Sequence, residues 1–128
     1  MRNDEGEHMA TIMVADEHDE VQRLLSYVVA RVGHTPLLWT AAQSDALHGF
    51  EALLVEPALP GCFRYAQAVR RARPELPIVC VSIYPPTPDV GALGCVVHLL
   101  KPFSLCELES ALELALLAPP ARDTQPAR

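Results

Sequence analysis

Hydrophobic residues recur along this chain in two alternating patterns, short unbroken runs and longer stretches in which they return every third or fourth position. TIMVA (11–15) is an apolar run with β-branched residues and predicts a strand. In EVQRLLSYVVARV (20–32), Val21, Leu24, Leu25, Val28, Val29 and Val32 fall on one helical face. Asp19 is placed to cap the start of this helix and Gly33 its end. TPLLWT (35–40) predicts a second strand, and Pro36 puts it at a sheet edge or a strand start. AAQSDALHGF leaves room for a short helix only. ALLVE (52–56) is the third strand candidate. FRYAQAVRRAR (63–73) predicts a helix ended by Pro74, with its arginines toward solvent. PIVCVSI (77–83) and CVVHLL (95–100) complete the strands. A closing helix spans 104–118: Ser104 and Glu107 form a capping box, and Leu105, Leu108, Leu112, Ala115 and Leu116 make one apolar side.

Several of the runs are apolar throughout rather than alternating, as strands covered on both faces are in a parallel sheet. Strands alternating with helices and joined by right-handed crossovers give an open, doubly wound α/β fold. Composition narrows the possibilities. A chain of 128 residues, half of them apolar, forms one domain with a substantial core. Its formal charge of -6 opposes a nucleic-acid-binding surface, which needs clustered Lys and Arg. No apolar run is long enough to span a membrane, and no signal peptide opens the sequence. Cys62, Cys80, Cys95 and Cys106 are widely spaced without zinc-type partners, which predicts four reduced thiols in a cytoplasmic protein. Residues 1–10 and 119–128 are polar or proline-rich and read as disordered tails around a domain of residues 11–118.

Ligands of doubly wound sheets bind beyond the carboxyl ends of the strands. The candidate chemistry of this chain lies there. Asp16 and Glu17 follow the first strand, Glu56 ends the third, Ser82 lies near the end of the fourth, and Lys101 follows the fifth. A lone acid after a strand is usually a solvated loop residue. Five such groups at the ends of four strands predict a site. Clustered carboxylates are costly unless a cation sits among them, and a hard ion such as Mg²⁺ suits oxygen ligands, with Lys101 offsetting the remaining charge.

These residues resemble the receiver domain of bacterial two-component response regulators over residues 11–118. VADEHDEVQRLL resembles the acidic opening of that family, with Asp16 and Glu17 at its metal-binding pair. VEPALPG resembles the D-x-x-x-P-G signature around the phosphoacceptor, with Glu56 in the aspartate's place. Ser82 matches the switch hydroxyl. GCVVHLLKPF resembles the block that carries the active-site lysine, Lys101, with His98 where an aromatic usually stands. The resemblance implies a flavodoxin-like (βα)5 fold of strand order 2-1-3-4-5, protein partners and phosphorelay signalling.

Two departures shape the functional expectation. In receivers the aspartate takes a phosphoryl group, which Mg²⁺, Lys and Ser/Thr stabilise. Glu56 adds a methylene, which displaces the carboxylate by roughly 1–1.5 Å, and a misplacement of ~1 Å can cost on the order of 100-fold in rate. The expectation is a pseudo-receiver, not an enzyme, in which Glu56 is a fixed negative charge paired with Lys101 and hydrogen-bonded by Ser82. A decayed site in which Glu56 only neutralises Lys101 stays open. So does the alternative of a conventional phosphoacceptor with weak autophosphatase activity. Mg²⁺ on Asp16, Glu17 and Glu56 is expected to be weak or absent. In SIYPPTPDVGALG the prolines leave about one helical turn where receivers have a full helix. Tyr84 is placed to supply the missing aromatic. His98 is either a packed, partly exposed histidine or a titrating switch beside Ser82. The partner is an unidentified protein, or a second copy docking through the last strand and helix, where Leu114 and Leu117 face outward. The alternative is that the C-terminal tail covers the same leucines. The chain is either a stand-alone regulator or part of a longer protein.

Overall fold

The computed structural model describes residues 9–117, so residues 1–8 of the expected 1–10 tail, the whole of the expected 119–128 tail and the last residue of the closing helix lie outside the described residues. Five parallel strands form one sheet in the order β2-β1-β3-β4-β5: β1 (Thr11–Ala15), β2 (Thr35–Leu38), β3 (Ala52–Val55), β4 (Ile78–Ser82) and β5 (Val97–Leu100). This is the flavodoxin-like order. Successive residues of the three inner strands point to opposite faces, and both faces are covered. Ile12, Val14, Ala52, Leu54, Val79 and Val81 pack under α1 (Asp19–Arg31) and α4 (Leu105–Leu117). Met13, Ala15, Leu53, Val55, Ile78 and Cys80 pack under α2 (Pro60–Ala72), joined there by Trp39, Phe50 and Leu93. Uniformly apolar strands are the sequence trace of this two-sided burial.

Helix α1 ends in a left-handed glycine. Gly33 has φ 96°, its N–H donates to the Ala30 carbonyl, and the His34 N–H reaches back to Val29, which satisfies two terminal carbonyls. Its start differs from the expectation. The residue in the N-cap position is His18, without a side-chain cap, and Asp19 is the first helical residue, where its charge favours the helix dipole. The buried arc is also rotated: Gln22 is buried with Leu25, Val28 and Val29, whereas Leu24 is 55% exposed.

After β2 the chain makes only one 3-10 turn, Ala41–Gln43, as the short polar stretch predicted. Between β4 and β5 lies one turn, α3 (Pro88–Gly91), capped by the Thr87 hydroxyl accepting from the Val90 N–H. The expected capping box of α4 is formed, with Ser104 N–H to Glu107 Oε1 at 2.7 Å and Glu107 N–H to Ser104 Oγ at 3.0 Å. Leu105, Leu114 and Leu117 of α4 stand exposed. At the other edge of the sheet, Thr35 and Trp39 direct their N–H groups to β1, to Ala10 and Val14. Alternation then turns the N–H positions of residues 36 and 38 outward, and Pro36 has no N–H to offer.

Three expectations are corrected. Helix α2 begins at Pro60 rather than Phe63, because proline suits the first helical position. Its arginines do not all face solvent. The Arg70 guanidinium donates to the carbonyls of Leu93, Arg73, Pro74, Leu76 and Gly94, and Arg73 lies 5.1 Å over the Phe50 ring. Nor are all four cysteines free: Cys80 of β4 is bonded to Cys95, with Cα atoms 6.4 Å apart, inside bridging range. Among the described residues, no helix is long and apolar enough to cross a membrane.

Candidate functional site

The carboxyl ends of β1, β3 and β4 deliver Asp16, Glu56 and Ser82 to one edge of the sheet, and all three are buried. Lys101 follows β5 and turns its ammonium inward. Its Nζ lies 2.9 Å from Glu56 Oε1 and 3.9 Å from Asp16 Oδ2, so one cation lies between two buried carboxylates. Glu56 Oε2 accepts from the Ala58 N–H at 3.1 Å. Both carboxylate oxygens of Glu56 are therefore engaged by the protein itself. The expected bond from Ser82 to Glu56 is not formed: Ser82 Oγ accepts from the Tyr84 N–H at 3.2 Å. The Tyr84 side chain is exposed and does not fill the aromatic position. His98 is half-buried; its Nε2–H donates to the Tyr84 carbonyl at 3.0 Å, and its Nδ1 has no partner among the described residues.

Asp16 Oδ1 accepts from the His18 N–H at 2.8 Å, while its Oδ2 has no hydrogen-bond partner among the described residues. Glu17, expected beside Asp16 in a cation site, points elsewhere. Its Oε2 accepts from the Gly61 N–H at the start of α2, at 3.0 Å. Asp16 Oδ2 is thus the one carboxylate oxygen of Asp16 and Glu56 without a hydrogen-bonding donor. Among the described residues, no group of three or more His, Cys, Asp or Glu side chains is gathered as a metal site. The Mg²⁺ that the resemblance implies does not fit these residues as they are held.

Several side chains that shape the site carried no sequence motif. Gln22 Nε2 donates to the carbonyls of Val14 and Trp39, at 3.0 and 2.9 Å, and so ties α1 to the ends of β1 and β2. A polar residue within an apolar helical arc was the available signal. Cys62 is buried beneath the acids. Burial first, then the charges of Glu17, Asp16 and Glu56, push its thiol up to about 12, so it is an inert core group. Where a helix would otherwise follow β2, the single 3-10 turn leaves a cleft of about 880 Å³ whose lining includes Asp16, Glu17, Trp39, Ser44, Arg64 and Tyr65.

No protein-family model and no curated protein matches the sequence. Solved structures do match the fold. NtrX from Brucella abortus, in complex with ADP, superposes with a TM-score of 0.73 at 22% identity over 84% of this chain. This chain spans about a quarter, 26%, of that one. The BeF3-activated DrrB receiver domain gives 0.72 at 17% identity, covering 86% of this chain and 99% of its own. The receiver domain of the sensor histidine kinase PA1611 from Pseudomonas aeruginosa, with magnesium coordinated in its active-site cleft, gives 0.69 at 20% identity, covering 86% and 99%. The fold is that of receiver domains. In receiver terms, the carboxyl edge holds Glu56, Asp16, Ser82 and Lys101 together, and Glu17 is drawn off to α2.

Proposed function

We propose that this chain is an atypical receiver domain of two-component signalling, acting as a phosphorylation-independent protein-interaction module rather than as a catalyst. The observation that carries this reading is the Lys101–Glu56 pair. The buried Glu56, which the resemblance puts in the phosphoacceptor's place, already holds the lysine at 2.9 Å, with its second oxygen on a backbone N–H. Glu56 supplies there a permanent negative charge where a receiver would acquire one. Magnesium lies in the cleft of the Pseudomonas receiver. Here the corresponding carboxylates are bound instead by Lys101, Ala58 and Gly61. The test is incubation with acetyl phosphate and Mg²⁺ followed by intact mass measurement. The expected result is an unchanged mass. A stoichiometric phosphoryl adduct that is lost in Glu56→Gln would restore the conventional phosphoacceptor reading.

Partner binding is assigned to the surface formed by β5 and α4, with Leu114 and Leu117 at its centre, and a second copy of the chain is the first partner to test. Leu114 is 54% and Leu117 76% exposed, and Leu100 and Leu105 extend the same apolar character. Exposed apolar surface of this extent marks interfaces. Replacing Leu114 and Leu117 with Glu is expected to leave the thermal midpoint unchanged and to abolish self-association in sedimentation. Lost stability with unchanged association would assign both leucines to the core and remove the patch.

A further inference from the structure

We infer that His34 is a proton-operated latch at the start of the sheet, which holds residue 10 while its ring is neutral and releases it when the ring takes a proton. The end of α1 places the ring. Gly33, left-handed at φ 96°, stops the helix, and the His34 N–H donates back to the Val29 carbonyl at 3.1 Å. That bond fixes the His34 backbone directly before β2, and the half-buried side chain reaches the segment that enters β1. There the Ala10 N–H donates to His34 Nδ1 at 3.0 Å, and the Thr35 N–H donates to the Ala10 carbonyl at 2.8 Å. Residue 10 is thus bound at both its N–H and its C=O by two adjacent residues.

Only the first of these two bonds responds to protons. A ring nitrogen accepts through a free lone pair, so the bond requires the neutral tautomer with its proton on Nε2. A proton on Nδ1 turns the acceptor into a donor facing another donor, and the charge that comes with it is poorly solvated at a half-buried position. Burial lowers the His34 pKa from the ordinary value of 6.5. The folded ring therefore takes up protons less readily than the unfolded one. The latch contributes fully above pH 6.5, and its contribution is lost as the pH falls below 6.5 toward the lowered value. Strands β1 and β2, on either side of the contact, carry no ionisable side chain. In the last turn of α1, Arg31 lies beside Tyr27 and bonds to Glu109 of α4 at 3.0 Å. Glu51, just before β3, accepts from the Thr11 N–H at 2.6 Å and titrates in the carboxylate range. The latch lies at the amino ends of the strands, opposite the edge that holds Glu56 and Lys101, so it stands or falls apart from the proposed function.

The experiment is amide hydrogen exchange of the full chain by NMR at about pH 7.5 and about pH 5.5, with each rate corrected for the intrinsic effect of pH on exchange. One pH unit below the ordinary imidazole value, protonation favours the released state by up to about tenfold. Protection of the Ala10 amide is therefore expected to fall by at least about threefold, and by up to about tenfold, between the two conditions. His34→Asn keeps an acceptor close to the place of Nδ1 but does not titrate in this range, and it is expected to remove the pH response. His34→Ala is expected to leave the Ala10 amide unprotected at both pH values. A response that survives in His34→Asn would assign the sensor to another group, Glu51 first, and overturn the inference. So would protection retained in His34→Ala, or a fall of less than about threefold in the natural chain.

Discussion

Lys101 neutralises two carboxylates that are not equivalent, and this asymmetry makes the site testable at the scale of single side chains. Glu56→Gln leaves the ammonium beside Asp16, still paired. Lys101→Met leaves Asp16 and Glu56 buried without their cation, the more costly arrangement. The expected losses in denaturant melts are on the order of 1–2 kcal/mol for Glu56→Gln and about 3 kcal/mol or more for Lys101→Met. Equal losses would mean that the ammonium does not hold both acids. The members of this cluster were legible in the sequence because each of Asp16, Glu56, Ser82 and Lys101 stands at or just beyond the end of an apolar run. The destination of Glu17 was not. It depends on where α2 begins, and a start at Phe63 hides the fact that Pro60 and Gly61 form the first turn. Ser82 was legible as a member of the site but not in its bonding, because the turn after β4 brings the Tyr84 N–H within reach of its hydroxyl.

At the scale of elements, periodicity located every strand and each of the longer helices, with ends shifted by a few residues where fraying and proline decide them. It did not locate the element that holds α2 to the connection before β5. That element is one side chain. Arg70 engages carbonyls on both sides of the gap, on Arg73, Pro74 and Leu76 after α2 and on Leu93 and Gly94 before β5. Burial lowers its pKa from the ordinary arginine value, yet the carbonyls keep a guanidinium satisfied there. No local pattern announces such a contact, since the acceptors come from distant residues in irregular backbone. Arg70→Ala is expected to cost about 2–3 kcal/mol, because five carbonyls lose their donor at once, three of them in partly buried bonds. Arg70→Lys should recover little of it, as an ammonium on a flexible stem cannot span the same set. Thermal melts of the two variants separate a need for charge from a need for the planar fork. Full rescue by lysine would assign the role to charge alone.

For the whole molecule, two-sided burial was readable from unbroken apolar strands, and the order of strands from the resemblance to receivers. The disulfide was not readable, because a separation of 15 residues says nothing until β4 and the segment before β5 are set side by side. Its consequence is a count. In the native, unreduced protein only exposed Cys106 should label quickly, since Cys62 is buried with its thiol raised to about 12. Denaturation should expose a second thiol, and reduction all four. Four fast thiols in denaturant alone would show that Cys80 and Cys95 are not bonded. The sheet also has two unlike edges. Among the described residues β5 pairs on one side only, with β4, but β2 turns outward a proline where a strand needs a donor. A chain that can add a strand on one side only is a chain terminator for its own polymerisation. Pairing of β5 with β5 of a second copy would use up the one competent edge of each. Growth by sheet extension would stop at two, and the outward leucines of α4 could be kept for binding without a route to fibres.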